Sequence, residues 1–569
     1  MKTFLRVRMN DLTVRFEGVP KAYERLGGRA LTSRLVSDEV PPDCNPLGPK
    51  NRLVLAPGLL GGLTASSVGR LSVGGKSPLT GGIKEANAGG TPATKLARLG
   101  IKAIIVEGIP AGDVMDTGPF TLVIRTSGAE LVRCAELGGL GVYESASRLA
   151  VAYGGKAGLV LIGPAGEMKL AAAGIACTDL DGAPTRYAGR GGLGAVMGSK
   201  GLKAIVVDDT GTSGVDIADP ELYRAILKDY TRTVASAPGT LIYKEYGTAA
   251  MSDNTNALGG LPTRNFSTGT FELAEQVSGR RLRDVIIERN GKPSHRCMAG
   301  CAIECSNVFP CKDGSVVSPL EYETIGLLGP NCGIGDLDAI ATLNCLCNDY
   351  GLDTIDTGGA LGVAMEAGLI KFGDSKAAIE LLREVPKGTV LGRLIGSGGA
   401  VVGKVLGVLH VPAVKGQVMA AYEPRAIKGL GVTYATSPMG ADHTAGNTIR
   451  QPIDHRSPEG QVEASRKAQI GAAVYDSLGA CLFVGVGLAG RLDYLVGLVN
   501  ARYAWDWTPD DVMELGKTAL RTEVEFNRKA GLAPASDDLP DFFREEANPA
   551  VGTTFDVPKE ELRRVLSDM

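Results

Sequence analysis

Residues 1–208 alternate short apolar runs with glycine-rich breaks: TFLRVRM, RLVLAPG, KAIIVEG, FTLVIRT, GLVLIG and KAIVVDD. Aliphatic and β-branched residues clustered between turn formers predict strands. From residue 209 the period changes. PELYRAILKDYTRTVASA, LDAIATLNCLCNDYG and SKAAIELLREV place apolar residues at helical spacing, and PDDVMELGKTALRTEVEFNRKAG continues the texture. The pattern predicts an α+β protein with a β-rich N-terminal domain over residues 1–208. Two mainly helical domains follow, over 209–415 and 416–569. A chain of 569 residues is too long for one hydrophobic core, which agrees with several domains.

Composition narrows the function classes. Lys+Arg 60 against Asp+Glu 63 leaves −3 with no block of one sign, which argues against nucleic-acid and anionic-membrane surfaces. The 78 glycines have no three-residue period, so they predict tight turns and close backbone approaches, as around a large ligand. MKTFLRVRMNDLTVRF lacks the apolar core of a signal peptide, and the longest apolar stretch, Cys481 to Gly490, is too short to span a bilayer. The 11 cysteines are therefore expected as thiols or metal ligands of a cytoplasmic protein.

Three cysteines spaced four apart, Cys297, Cys301 and Cys305 in HRCMAGCAIEC, carry the strongest chemical signal. Soft sulfur ligands select zinc, copper(I) or iron–sulfur clusters. One reading is a zinc knot that adds nearby Cys311. Another is an iron–sulfur cluster that adds distant Cys481 and ties the middle of the chain to its last third.

Gly189-Arg-Gly-Gly-Leu-Gly194 matches the GxGxxG pattern, but the polar, turn-rich DLDGAPTRYA precedes it where a buried strand belongs. The run can still present backbone amides to a phosphate. VGGKSP carries Arg70 where a P-loop needs glycine, which removes nucleotide hydrolysis. His443 lies in a glycine-flanked loop, SPMGADHTAG, with room for a ligand, whereas His410 reads as core. Glu321 and Glu323 are alternate carboxylates that face one way if the segment is extended. Asn348-Asp-Tyr-Gly-Leu-Asp353 and Asp476-Ser-Leu-Gly-Ala-Cys481 share the frame [DN]-x-x-G-x-[DC], each after a helix-like run.

Taken in order, GRLSVGGKSPLTGGIKEANAGG, AGRGGLGAVMGSKGLKAI, the cysteine trio, EYET, NDYGLDT, YATSPMGADHTAG and DSLGACLF resemble the aldehyde:ferredoxin oxidoreductase family of tungsten or molybdenum bis-pterin enzymes. The resemblance implies that Cys297, Cys301, Cys305 and Cys481 ligate a [4Fe–4S] cluster. It implies that Asn348 and Asp353, with Asp476 and Ala480, grip the two pterins. The main chain of Asn87, completed near Tyr187 and Ala188, would hold a Mg2+ bridging the pterin phosphates. Arg70 would lie between cofactor and cluster, and Arg190 would join the cofactor-binding set. Glu323 and His443 would flank the substrate face as catalytic residues.

The implied reaction oxidises a small-molecule aldehyde to a carboxylic acid, with electrons passed to ferredoxin or a small iron–sulfur subunit. A homo-oligomer is compatible with this reading. A same-cofactor reductase of carboxylic acids or acyl-thioesters, and a zinc-stabilised scaffold without redox activity, are the alternatives. Here the trio is spaced C-x3-C-x3-C where well-known members have C-x2-C-x3-C. Asn348 replaces the usual aspartate and Ala480 the usual leucine.

Overall fold

The computed structural model describes residues 1–112, 118–533, 537–567 and 569. Its first 207 residues build two six-stranded sheets. The first holds β1 (Thr3–Arg8), β2 (Thr13–Gly18), β3 (Leu53–Pro57), β4 (Leu71–Lys76), β5 (Ile83–Ala88) and β6 (Ile101–Glu107), in the order β2-β1-β6-β3-β4-β5. The second holds β7 (Phe120–Arg125), β8 (Gly128–Arg133), β9 (Gly158–Leu161), β10 (Ile175–Cys177), β11 (Arg186–Ala188) and β12 (Leu202–Val207), in the order β8-β7-β12-β9-β10-β11. Adding six to each strand number turns the first order into the second. Each sheet has one parallel pair, β1 with β6 and β7 with β12, at the same place.

The correspondence extends to side chains. Gly100-Ile-Lys-Ala-Ile-Ile-Val-Glu107 parallels Gly201-Leu-Lys-Ala-Ile-Val-Val-Asp208. Lys102 donates to the Glu24 carbonyl at 2.9 Å and Lys203 to the Leu140 carbonyl at 2.8 Å. Each acceptor lies just ahead of a helix, Gly28–Glu39 or Val142–Tyr153. Burial pushes both ammonium groups below the ordinary lysine value, and the carbonyls supply the partners that a buried cation needs.

Inner strands such as β3 and β12 read as nearly unbroken apolar runs because both faces are covered there, whereas the edge strands β2 and β8 are partly exposed. Leu53 and Leu55 join the core between the sheets, while Val54 and Ala56 pack with Leu31 and Leu35 of Gly28–Glu39.

The helical remainder forms two cores. One joins helices Tyr322–Leu328, Leu337–Tyr350, Thr354–Glu366 and Lys428–Thr436. The other joins Pro220–Ser236, Gln461–Leu478 and Pro509–Lys529 around Leu59–Val68 and the cysteine trio. His410 is not core: it lies half exposed between Glu366 (3.0 Å) and Glu546 (2.9 Å). Among the described residues no single helix is long and apolar enough to cross a membrane.

Candidate cofactor and redox site

The site starts from two helix ends. Helix Leu337–Tyr350 stops at Gly351 (φ 75°) and Gln461–Leu478 at Gly479 (φ 73°). The Leu352 N–H reaches back to the Cys347 carbonyl at 2.8 Å, and the Ala480 N–H to that of Tyr475 at 2.9 Å. Both are the six-to-one closure of a Schellman cap, which needs the left-handed residue that glycine supplies. The sequence echo is therefore one cap built twice. It puts Asn348 and Asp476 at the same place in a last turn, and it makes Asp353 and Cys481 the N-caps of the next helices, Thr354–Glu366 and Leu482–Leu488.

Glycine is needed there for room as well. A Cβ on Gly351 would stand 2.7 Å from Gly163 N, and one on Gly479 2.9 Å from Gly58 Cα. Gly58 follows β3 and Gly163 follows β9, so the duplicated sheets present equivalent turns to the two caps.

Around the second cap, Asp476 Oδ1 accepts from Asn87 Nδ2 at 2.8 Å and Oδ2 from Arg29 at 3.4 Å. Arg70 donates to the side-chain and main-chain oxygens of Asn87, the latter at 3.0 Å, and its N–H bonds the Gly479 carbonyl at 3.1 Å. Burial pushes Asp476 and neighbouring Glu85 above the ordinary carboxyl range, and Asp476 adds to the rise at Glu85. Ala480 is fully buried and contributes backbone and space.

Around the first cap, Asp353 Oδ1 caps the Ile355 N–H at 3.0 Å while Oδ2 accepts from Arg190 Nε at 3.2 Å. The Asn348 carbonyl accepts from the Tyr187 hydroxyl, and Ala188 is buried beside it on β11. The run after Ala188 differs from its sequence reading, because the short strand β11 does lead into Gly189 and helix Leu193–Ser199 follows.

The four cysteines expected as cluster ligands pack in one core. Ser67 ties two of them: its carbonyl accepts from the Cys481 N–H at 2.8 Å and its hydroxyl donates to Cys301 Sγ at 3.4 Å. A hydrogen bond between Cys297 and Cys301 pushes the first thiol up and holds the second below the ordinary thiol value. The half-buried Arg70 guanidinium faces Cys481 and Cys297. Cys311 does not join them. It packs against the other helical core and its N–H bonds the Ser315 carbonyl at 2.8 Å, so the four-thiolate zinc knot is not assembled. Among the described residues no three Cys, His, Asp or Glu converge on a single ion. Four cysteine side chains gathered in one core are the donor type that iron–sulfur clusters use.

Glu323 and His443 meet: Oε1 lies 3.3 Å from Nε2, and both side chains are almost buried. Glu323 Oε2 accepts from the Ala421 N–H at 2.7 Å, while Oε1 and His443 Nδ1 are buried without a hydrogen bond. Burial raises the Glu323 carboxyl, and His443 with the Ala421 N–H offsets part of the rise. The two glutamates do not face one way. Helix Tyr322–Leu328 begins between them, so Glu321 turns to Thr248 and Arg186 instead.

Sequence reasoning missed the charges that hold these residues. Lys84 and Asp442 form a buried pair at 2.6 Å, and Arg29 and Glu523 a fully buried pair at 2.7 Å. Lys84, lone among GGIKEANAGG, and Asp442, in GADHTAG, were detectable as charges in small-residue segments; Arg29 and Glu523 carried no such mark. Orphaned polar atoms on Glu323, His443 and Glu85, carboxylates suited to pterin N–H groups, the buried Arg190 and the half-buried Arg70 fit a large polyanionic cofactor.

Known proteins agree. A family model for the aldehyde ferredoxin oxidoreductase N-terminal domain matches residues 4–209, and one for domains 2 and 3 of the same enzymes matches residues 225–568. The chain is 35% identical to the tungsten-containing aldehyde ferredoxin oxidoreductase of Pyrococcus horikoshii, over 96% of this chain and 91% of that protein. Identity to the Thermococcus kodakarensis protein of the same description is 34%, over 96% and 92%. The fold matches a solved active site complex BamBC of benzoyl coenzyme A reductase with 1,5-dienoyl-CoA, with TM-score 0.81 and 18% identity, covering 100% of this chain and 93% of that one. The duplicated sheets, the paired caps and these matches have one reading: the chain is an oxidoreductase that belongs to the aldehyde ferredoxin oxidoreductase family.

Proposed function

We propose that the protein oxidises an aldehyde with water to a carboxylic acid, releasing two electrons and two protons, beside Glu323 and His443. The observation that carries this is the 3.3 Å approach of two residues far apart in sequence, both largely shielded from solvent. Bound in this frame, a bis-pterin tungsten group would supply the two-electron acceptor and Lewis acid, and a [4Fe–4S] cluster on Cys297, Cys301, Cys305 and Cys481 would pass electrons singly to ferredoxin or a small iron–sulfur subunit.

The chain's own residues do the rest. Glu323, kept receptive by burial, takes a proton from the attacking water at Oε1, which faces His443 and accepts no hydrogen bond. His443 donates from Nε2 to the oxygen that gains charge. Asp476 and Asp353 accept from pterin N–H groups at the two caps, with Ala480 and Asn348 beside them. Arg70 and Arg190 offer permanent cations to the phosphates, and the backbone at Asn87, Tyr187 and Ala188 would hold Mg2+. Residues 1–208, 209–415 and 416–569 serve as base and two covers, in a cytoplasmic protein.

Glu323→Gln should lose turnover by about 10²–10⁴ with tungsten and iron per chain unchanged. Normal turnover in that variant sinks the assignment. Dye reduction across aldehydes, set against reverse electron delivery to acids and acyl-thioesters, separates this reading from a low-potential reductase.

A further inference from the structure

His443 stands on a loop, not on a strand or long helix. It opens a single 3-10 turn, His443–Ala445, whose N-cap is Asp442. Asp442 Oδ1 accepts from the Thr444 N–H at 3.0 Å and from its hydroxyl at 2.9 Å, and it lies 3.7 Å from His443 Nδ1. One turn is too short to hold itself, because helix nucleation fixes several residues for a single hydrogen bond. What anchors Asp442 therefore helps to place the imidazole, which also faces Glu323 and the Tyr422 ring.

The anchor is Lys84. Its Nζ reaches Asp442 Oδ2 at 2.6 Å, with the two side chains 0% and 3% exposed. Arg190 stands further off, 3.7 Å from Oδ1, and spends its strong hydrogen bonds on Asp353 and on the Ala441 and Val418 carbonyls. Burial alone would raise the Asp442 carboxyl, yet Lys84, Arg190 and His443 hold it well below the usual range.

Lys84 comes from β5, in the first sheet, and must cross the glycine run that follows β11 in the second. It does so over Gly191. A Cβ there would stand 2.7 Å from Lys84 Cδ and 2.8 Å from Cε, and Gly191 has φ 81°. The Ser77 hydroxyl, on the turn before β5, fixes the Gly191 carbonyl at 2.7 Å. The glycine-rich run thus serves as a passage for a lysine stem as well as a backbone surface.

We propose that Lys84 is the positioning residue for His443, acting through Asp442 and admitted by Gly191. The proposal rests on the proposed role of His443, and the tests below keep the two apart. A misplacement of this kind costs about 10²-fold in rate, so Lys84→Met should lose that much kcat with KM little changed. Tungsten and iron per chain should stay normal. Hydrogen exchange of the holoenzyme should quicken in the peptide spanning residues 440–447, where the Thr444 amide loses its fixed acceptor. The double variant Lys84→Met/Asp442→Asn should match Asp442→Asn alone, because a residue that acts only through another adds nothing once that one is changed.

Unchanged kcat and exchange in Lys84→Met, or a double variant clearly slower than Asp442→Asn, overturns the proposal. The double variant strands neither member of the pair, so it carries the test if a single variant does not fold: parent-like kcat and exchange there overturn the proposal. A silent His443→Gln would sink the role of His443 while the exchange measurement still judged the lysine's hold on the loop.

Discussion

The role proposed for Glu323 depends on that side chain's surroundings. Desolvation raises its carboxyl above the ordinary 4.5, and the His443 imidazole and Ala421 N–H bring it only part of the way back. A general base works in its ionised form, so the rate must rise with pH through that raised value. The kcat/KM profile should accordingly show an acid limb with its inflection above 4.5, and the residual activity of Glu323→Gln should lack that limb. An inflection at or below 4.5 in the parent would mean that some other group is titrating. At this scale the sequence named Glu323 and His443 through their segments. It could not show which charges hold them, since Lys84 and Asp442 are 358 positions apart and neither residue's neighbours in sequence point to the other.

At the scale of elements, the paired caps explain why so many glycines are spent here. Each cap is met by a turn from one of the duplicated sheets, and at the second cap the turn and the cap lie backbone against backbone. The Leu59 and Leu60 N–H groups bond the carbonyls of Ser477 and Leu478 at 3.2 and 2.9 Å. A methyl group on Gly58 would fall onto the backbone of Gly479, so Gly58→Ala must push the Asp476–Cys481 loop away. That loop carries both an expected pterin contact and the fourth expected thiolate. Tungsten and iron should therefore fall together in Gly58→Ala, by elemental analysis of the purified chain. Gly155→Ala, where an added Cβ meets nothing within 4 Å, should keep both. Loss of one metal with full retention of the other would show that the cap does not serve the two centres jointly. The repeated [DN]-x-x-G-x-[DC] frame made the two caps legible in the sequence. Their glycine partners were not, because Gly58 and Gly163 acquire meaning only when the sheets are stacked.

For the molecule as a whole, the sequence conveyed class and order but hid the symmetry. Strand-like runs over residues 1–208 and helical periods after 209 correspond to what folds. The match between GIKAIIVE and GLKAIVVD was visible, yet only the sheet orders reveal it as a duplication that presents two equivalent turns to the two caps. What closes this base against the helices is a buried ionic clamp. Arg29, on the first helix of the chain, donates to both Glu523 oxygens at 2.8 and 2.7 Å and also to Asp476. The Ser33 hydroxyl gives the same glutamate a further bond at 2.8 Å. Removing one member of such a pair strands a charge in the interior and costs about 3–5 kcal/mol, whereas replacing both with apolar residues of similar size is often close to neutral. Glu523→Leu should accordingly lower the thermal midpoint sharply, and Arg29→Met/Glu523→Leu should recover most of the loss. The double variant should still bind tungsten more weakly, because Asp476 has lost its arginine along with the clamp. If the double variant regains tungsten content as fully as stability, Arg29 holds the fold together without steadying the pterin loop.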